Sequence, residues 1–253
     1  MPIYDPRENN GPVLPALILA NIFPLVGILY DEVSFFALFY LYWWETVIIS
    51  IFRWLKMSWA EKPSEPDPGY TINGKTLNPE HVNNRGKMRR HYFFMRTGIM
   101  MFYLIFIIVF VGVVSTMNED STEFARSITF AEPWVFWCFV SYTVLHLIEY
   151  ITWIRNGIYK ETSLVELATP FDGRLITMHV VIVLGTFLAM YTSETLFPNH
   201  PRAGSIGYGA LFVAIKTGVD IYAYRKNKSR HTVIDAMMPG KSKTDAGGQA
   251  GTR

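Results

Sequence analysis

A carboxylate stands in the middle of a long uncharged stretch of this sequence. Glu45 follows Tyr42, Trp43 and Trp44 within residues 33–52, where it is the only charged residue. A charge at membrane depth costs roughly 2.5 to 3.5 kcal/mol even on lenient scales, so it faces protein or water and has a partner. Proton transfer, ion transport or a structural ion pair are the roles that such a group can serve. The partner of Glu45 must come from another apolar segment of the chain.

Five further ionisable residues lie in other apolar segments at similar depth, and with Glu45 they form a candidate polar centre. They are His146, Glu149, His179, Lys216 and Asp220. His146 and Glu149 share one stripe of a helix, because side chains three residues apart point the same way. Lys216 and Asp220 are spaced i,i+4 and can pair directly. The remaining four groups are then expected to satisfy one another across helices.

Two histidines and two carboxylates could also ligate a metal ion. His146 and Glu149 at i,i+3 would supply one face of such a site. The pattern is not specific, since the sequence has neither a paired Glu-x-x-His set nor a His-rich box. Cys138 is the only cysteine, so the chain forms no internal disulfide. Cofactor, metal and catalytic residues are left undefined by the sequence.

The elements that must position these residues are membrane helices. Half of the residues are hydrophobic, and they come in long blocks. Crossing the hydrocarbon core takes about 20 apolar residues. Six segments qualify: 12–30, 33–52, 97–117, 133–154, 175–197 and 203–224. Because backbone groups at that depth must be bonded internally, the sequence predicts an all-α, polytopic transmembrane helical bundle with six spans.

The predicted domain organisation is simple. Residues 1–238 form a single integral membrane domain with a cytoplasmic loop over 57–96, and the tail 239–253 is expected to be disordered. Within the loop, Asn73-Gly74 between β-prone pairs predicts a small hairpin. Ser163 and Glu166 have the spacing of a capping box, which predicts a short helix.

The last predicted span has a second, small-residue face. Ala210, Ala214 and Gly218 recur every four residues, a pattern that lets a neighbouring backbone approach closely. A helix that is polar on one side and closely packed on the other is expected to sit centrally in the bundle.

Basic residues predict the orientation. All 23 Lys and Arg residues except Arg126, Arg202 and Lys216 fall on one side of the predicted spans, together with both termini. This distribution predicts an inner (plasma) membrane protein with both termini cytoplasmic. The basic rim suits the anionic headgroups of the lipid bilayer and needs no nucleic acid. A second copy of the chain or a membrane complex is left open as a further partner.

Several fragments resemble a family of uncharacterised prokaryotic multipass membrane proteins, known only as a domain of unknown function. The fragments are residues 42–45 with the flank 51–57, residues 174–179 with Gly185, and residues 216–220. The resemblance implies a helical membrane protein of unknown activity. Where such proteins tend to carry a histidine after the last motif, this chain has Tyr222 and Tyr224, which weakens a metal site implied by the family.

Three functions are compatible with these observations. A proton, ion or small-solute transporter or channel would use Glu45, His146 and Glu149 as a titratable pathway, because ionisable groups inside membranes mark such pathways. A structural or assembly subunit would use the polar layer only for helix association. A membrane-embedded metal-dependent enzyme is the third alternative.

Overall fold

The computed structural model describes residues 13–30, 34–63, 71–72, 75–76, 85–112 and 121–169, with residues 175, 207, 210–211, 213–218 and 221. The helices are α1 (Val13–Leu29), α2 (Phe35–Lys56), α3 (Arg85–Phe106), a π-helix (Ile107–Gly112), α4 (Ser121–Ile128), α5 (Pro133–Arg155), a 3-10 helix (Ile158–Lys160) and α6 (Leu164–Ala168). The strands β1 (Thr71–Ile72) and β2 (Lys75–Thr76) pair antiparallel. Residues 213–218 are helical.

The predicted helical fold is confirmed, although the number of spans is not. Helices occupy the described parts of the predicted spans 12–30, 33–52, 97–117 and 133–154. Three stretches are long and apolar enough to cross a membrane: Phe36–Lys56, Arg85–Val109 and Ala125–Arg155. The predicted spans 175–197 and 203–224 and the predicted tail lie mostly or wholly outside the described residues. Six spans therefore stay a prediction.

Local sequence signals explain where several helices begin. Ser34 caps α2, since its side chain accepts a hydrogen bond from the backbone N–H of Ala37 at 3.1 Å. Proline at the first position of α5 suits a site where no intrahelical N–H bond is needed. The predicted capping box is confirmed, because Ser163 and Glu166 each bond the other's backbone N–H. The strand pair β1–β2 confirms the predicted hairpin.

Helix α2 lies at the centre of the described fold. It packs against α3, α4, α5, α6 and the π-helix. In its most apolar part 78% of the residues are buried, against 28% for Arg85–Val109 and 22% for Ala125–Arg155. The aromatic run of α2 fills this core, and the indole N–H of Trp43 donates to the carbonyl of Met100 at 2.8 Å. Glu45 is therefore carried by the most enclosed helix.

A second, smaller core fixes the end of α2. It joins Met57, Ala60, Met88, Tyr92, Leu164, Leu167 and Ala168. Arg85 at the start of α3 donates to the carbonyls of Ser58 and Ala60. Because both of these contacts follow directly after α2, they hold the last turn of that helix, including Lys56, against α3 and α6.

The expectation of a closely packed small-residue face on the last predicted span is wrong. Ala210, Ala214 and Gly218 are exposed, and a Cβ atom added at Gly218 would meet nothing within 4 Å. Val213 is buried in the main core instead. Residues 213–218 therefore turn the face with Val213 and Lys216 toward the protein, because burying a valine and pairing a charge outweigh the packing of small side chains.

Candidate functional site

Four of the six predicted polar residues lie in one connected group. Glu45 comes from α2, His146 and Glu149 come from α5, and Lys216 comes from residues 213–218. His179 and Asp220 lie outside the described residues. The stripe predicted on α5 is confirmed, since Tyr142, His146 and Trp153 are all buried.

The innermost contact of this group is an ion pair between Glu45 and Lys216. The Lys216 Nζ atom lies 2.9 Å from Glu45 Oε2, and both side chains are 4% exposed. Two opposite charges in such an environment must compensate each other, because either one alone would be a buried, unpaired charge. The sequence predicted a pairing of Lys216 with Asp220, and the contact with Glu45 across helices was not foreseen.

Three further neighbours of the Lys216 ammonium group lie in the described part of the chain. It donates a hydrogen bond to Asn21 Oδ1 on α1. It also lies over the ring of Tyr42 at 5.1 Å from the centroid and over the ring of Tyr142 at 5.9 Å. Cations within about 6 Å of an aromatic ring are attracted to its face. Charge, hydrogen bonding and aromatic rings thus converge on one nitrogen atom.

His146 lies between two carboxylates. Its Nδ1 atom is 3.1 Å from Glu149 Oε2, as the i,i+3 spacing predicted. Its Nε2 atom is 4.0 Å from Glu45 Oε1 and makes no hydrogen bond within the described part of the chain. Because each ring nitrogen faces a different carboxylate, the imidazole connects the buried centre with Glu149.

Glu149 forms the outer end of this connection. Its Oε1 atom is 3.3 Å from Lys56 Nζ, and its side chain is 31% exposed while that of Lys56 is 7% exposed. Lys56 also lies over the ring of Trp153, 5.6 Å from the centroid. The carboxylate of Glu149 therefore touches both the interior and the surface of the protein.

A ladder of hydroxyl groups runs along α2 beside the ion pairs. Thr46 donates to the carbonyl of Tyr42 at 3.0 Å, and Ser50 donates to the carbonyl of Thr46 at 2.6 Å. The Nε–H group of Arg96, which is 2% exposed, donates to Ser50 Oγ at 2.8 Å. The middle of α3 is thereby joined to the polar face of α2.

Three of these partners were missed at the level of sequence. Lys56 and Arg96 were assigned to the cytoplasmic basic rim, whereas both are buried against other helices. Lys56 follows Glu45 by about three helical turns and so lies on the same face of α2, a signal that could have found it. Asn21 is the one amide in the apolar segment 12–30, where a polar side chain needs a partner. Arg96 gave no such signal.

A metal site is not formed by the described residues. In the part of the chain that the structure describes, no three His, Cys, Asp or Glu side chains come close enough to hold a metal ion. Glu45, His146 and Glu149 are arranged in a line with lysine at both ends, which is an arrangement for moving or balancing charge.

Comparisons with known proteins place the chain in a family without assigning an activity. Neither a search of curated proteins nor a search of solved structures gives a match. A family model does match, over residues 4–236, and it is described as a family of unknown function, DUF6498. Since this match covers nearly all of the chain, the protein belongs to the DUF6498 family.

Proposed function

We propose that this protein is an integral membrane protein that conducts or exchanges protons through the line Lys216, Glu45, His146, Glu149 and Lys56. The observation that carries the proposal is the position of His146, whose two ring nitrogens face the carboxylates of Glu45 and Glu149. An imidazole can accept a proton at one nitrogen and release one from the other. The line therefore has the composition that proton transfer requires.

Each step of this line has a defined length. The contacts from Lys216 to Glu45, from His146 to Glu149 and from Glu149 to Lys56 measure 2.9, 3.1 and 3.3 Å. The separation of 4.0 Å between His146 and Glu45 exceeds hydrogen-bond reach. A movement of the ring by about 1 Å closes it. Transfer between the centre and the outer carboxylate is thus governed by the position of His146.

Burial differs along the line in the way that a pathway requires. Glu45 is enclosed, whereas Glu149 is partly exposed. Glu149 lies nearer to the end of the bundle that carries Lys56, with which it pairs. A proton taken up at Glu149 reaches Glu45 through one side chain. Ionisable groups inside a membrane mark such pathways by default.

Membrane placement is supported by the outer surfaces of α3 and α5. Large hydrophobic side chains are exposed along both helices: Phe93, Phe94, Met95, Met101, Phe102, Ile105, Phe136, Trp137, Val144, Leu147, Ile148 and Ile151. Water would penalise this surface, whereas lipid tails accept it. We propose the plasma (inner) membrane, with the basic end of the bundle and both termini in the cytoplasm.

Cysteine labelling tests this orientation. In a Cys138→Ala background, we expect a membrane-impermeant maleimide applied to intact cells to label Asn118→Cys and to spare Asn227→Cys. The Cys138→Ala parent has no cysteine left and serves as the unlabelled control. Labelling of the second position alone would reverse the proposed orientation.

Proton flux through reconstituted protein tests the function. We expect wild-type proteoliposomes to dissipate a pH gradient, and we expect His146→Gln to be no faster than liposomes without protein. Glutamine retains a polar side chain of similar size but cannot relay a proton near neutral pH. His91→Gln on α3 is the matched control and should conduct like the wild type. Wild-type flux through His146→Gln, or none through the wild-type protein, would contradict the proposal.

A structural or assembly subunit is the second candidate. It is favoured by the ion pair of Glu45 and Lys216, which compensates both charges and can stabilise helix association without any transport. Under this alternative Glu45→Gln destabilises the protein and changes no flux. Under the proposed function the wild-type protein conducts protons, and Glu45→Gln removes that flux in addition to the same loss of stability.

A further inference from the structure

The described surroundings of Lys216 form a site whose walls belong to other elements of the chain. Asn21, Tyr42, Glu45 and Tyr142, which we name the ammonium cage, come from α1, α2 and α5. All four residues are buried. Lys216 reaches them from a separate element, residues 213–218. The walls of the site therefore belong to three helices, and its occupant belongs to a fourth element.

The chemistry of the ammonium cage is that of a receptor for a small organic cation. The Glu45 carboxylate supplies the charge at 2.9 Å, and the amide oxygen of Asn21 accepts a hydrogen bond. The rings of Tyr42 and Tyr142 supply two aromatic faces. Aromatic rings combined with a carboxylate are the recurring means of binding ammonium groups. Hard metal cations instead take six or more oxygen ligands.

The element that carries Lys216 has a narrow buried face. Among the described residues 213–218, Val213 and Lys216 are buried, whereas Ala214, Ile215 and Gly218 are exposed. A displacement of residues 213–218 would withdraw the lysine and leave the described contacts among α1, α2 and α5 in place. The cage keeps its carboxylate and its aromatic walls when the tethered cation leaves.

We propose that the ammonium cage binds a free primary ammonium ion, either ammonium itself or a short alkylammonium, and that Lys216 is a tethered competitor for the same site. The inference deepens the proposed function and rests on it for the coupling to protons. A cation in the cage keeps Glu45 ionised, and a proton delivered through His146 neutralises Glu45 and releases the cation. One cation is then exchanged for one proton.

Chemical rescue tests the site directly. Lys216→Ala empties the cage and leaves Glu45 without its lysine. We expect ammonium or methylammonium chloride to raise the melting temperature of the detergent-solubilised variant. The rise is about 5 to 10 °C when the cation is present at about 100 times its Kd. Sodium chloride and tetramethylammonium chloride at equal ionic strength should have no such effect, because neither offers N–H donors to Asn21 and Glu45.

Lys216→Met is the matched control, because a methionine side chain fills the cage without a charge. Its melting temperature should not respond to either ammonium salt beyond the response to sodium chloride. Should Lys216→Ala fold too poorly to melt, its yield of monodisperse protein is compared after solubilisation in methylammonium chloride and in sodium chloride. Ammonium chloride and methylammonium chloride are then compared with each other. The salt that raises the melting temperature more shows whether the site prefers ammonium itself or an alkylammonium.

The outcomes separate this inference from the proposed function. Equal melting temperatures in all four salts, equal rescue by tetramethylammonium, or no folded Lys216→Ala even with methylammonium would each overturn the ammonium site. Proton flux is measured on the wild-type protein without any amine. Flux without rescue removes the ammonium site alone, whereas rescue without flux leaves the site standing and removes the proton pathway.

Discussion

Two ion pairs lie along α2, and they differ in how far they are removed from water. Glu45 and Lys216 form the central pair, with both side chains 4% exposed. Lys56 and Glu149 form the rim pair, with side chains 7% and 31% exposed. His146 stands between the two pairs and faces a carboxylate of each. The same types of residue thus occur in two environments within one helix bundle.

This difference in exposure determines how much each ion pair contributes to stability. In the central pair neither charge can exchange its partner for water, so removing one deprives the other of an opposite charge at a cost of roughly 3 to 5 kcal/mol. In the rim pair the Glu149 side chain is 31% exposed, and we expect it to reach water at the basic end of the bundle, which limits the contribution of the pair to roughly 0 to 1 kcal/mol. The central pair is therefore suited to hold a state of the protein, and the rim pair is suited to exchange protons.

The largest expected effect comes from breaking the central pair. Lys216→Met should lower the free energy of unfolding by about 3 to 5 kcal/mol, because it removes the cation that lies 2.9 Å from the buried Glu45 carboxylate. Adding Glu45→Gln to this variant should recover most of the loss, since the buried carboxylate that lost its lysine is then neutral. Thermal melting in detergent measures both. Lys160→Met, at an exposed lysine, is the matched control and should change stability little.

A smaller effect is expected at the rim. Glu149→Gln should cost about 1 kcal/mol or less, since the amide still accepts a hydrogen bond from Lys56 and its surroundings reach solvent. Salt sharpens the comparison, because screening weakens exposed pairs much more than buried ones. High salt should therefore shrink the effect of Glu149→Gln and leave that of Lys216→Met nearly unchanged. Equal salt sensitivity of the two would contradict the distinction between centre and rim.

The smallest effect concerns the element that holds Lys216 in place. Val213→Ala should cost about 1 to 2 kcal/mol because it removes buried methyl groups. Ala214→Leu, one residue later on an exposed face, should stay within about 0.5 kcal/mol of the wild type in detergent. Thermal melting of the two variants provides the comparison. A larger loss for Ala214→Leu would restore the packed small-residue face.

Much of the local structure could be predicted from the sequence. The long apolar blocks predicted α1, α2, α3 and α5, because a helix is the only open structure that bonds its own backbone at membrane depth. The capping box and the hairpin were also predicted correctly, since their signals are contained in a few adjacent residues. The i,i+3 contact of His146 with Glu149 follows from helix geometry alone.

By itself, then, the sequence determined which segments are helical, which face of α5 is polar, and that Glu45 needs a partner. Only the tertiary structure decided that Lys216 contacts Glu45, that Lys56 and Arg96 point inward, and that the small-residue face lies outside. Periodicity orders side chains around one helix axis, but it carries no information on which helix lies opposite. That choice depends on how α2 packs among its neighbours, where burying valine and compensating each charge outweigh local pairing.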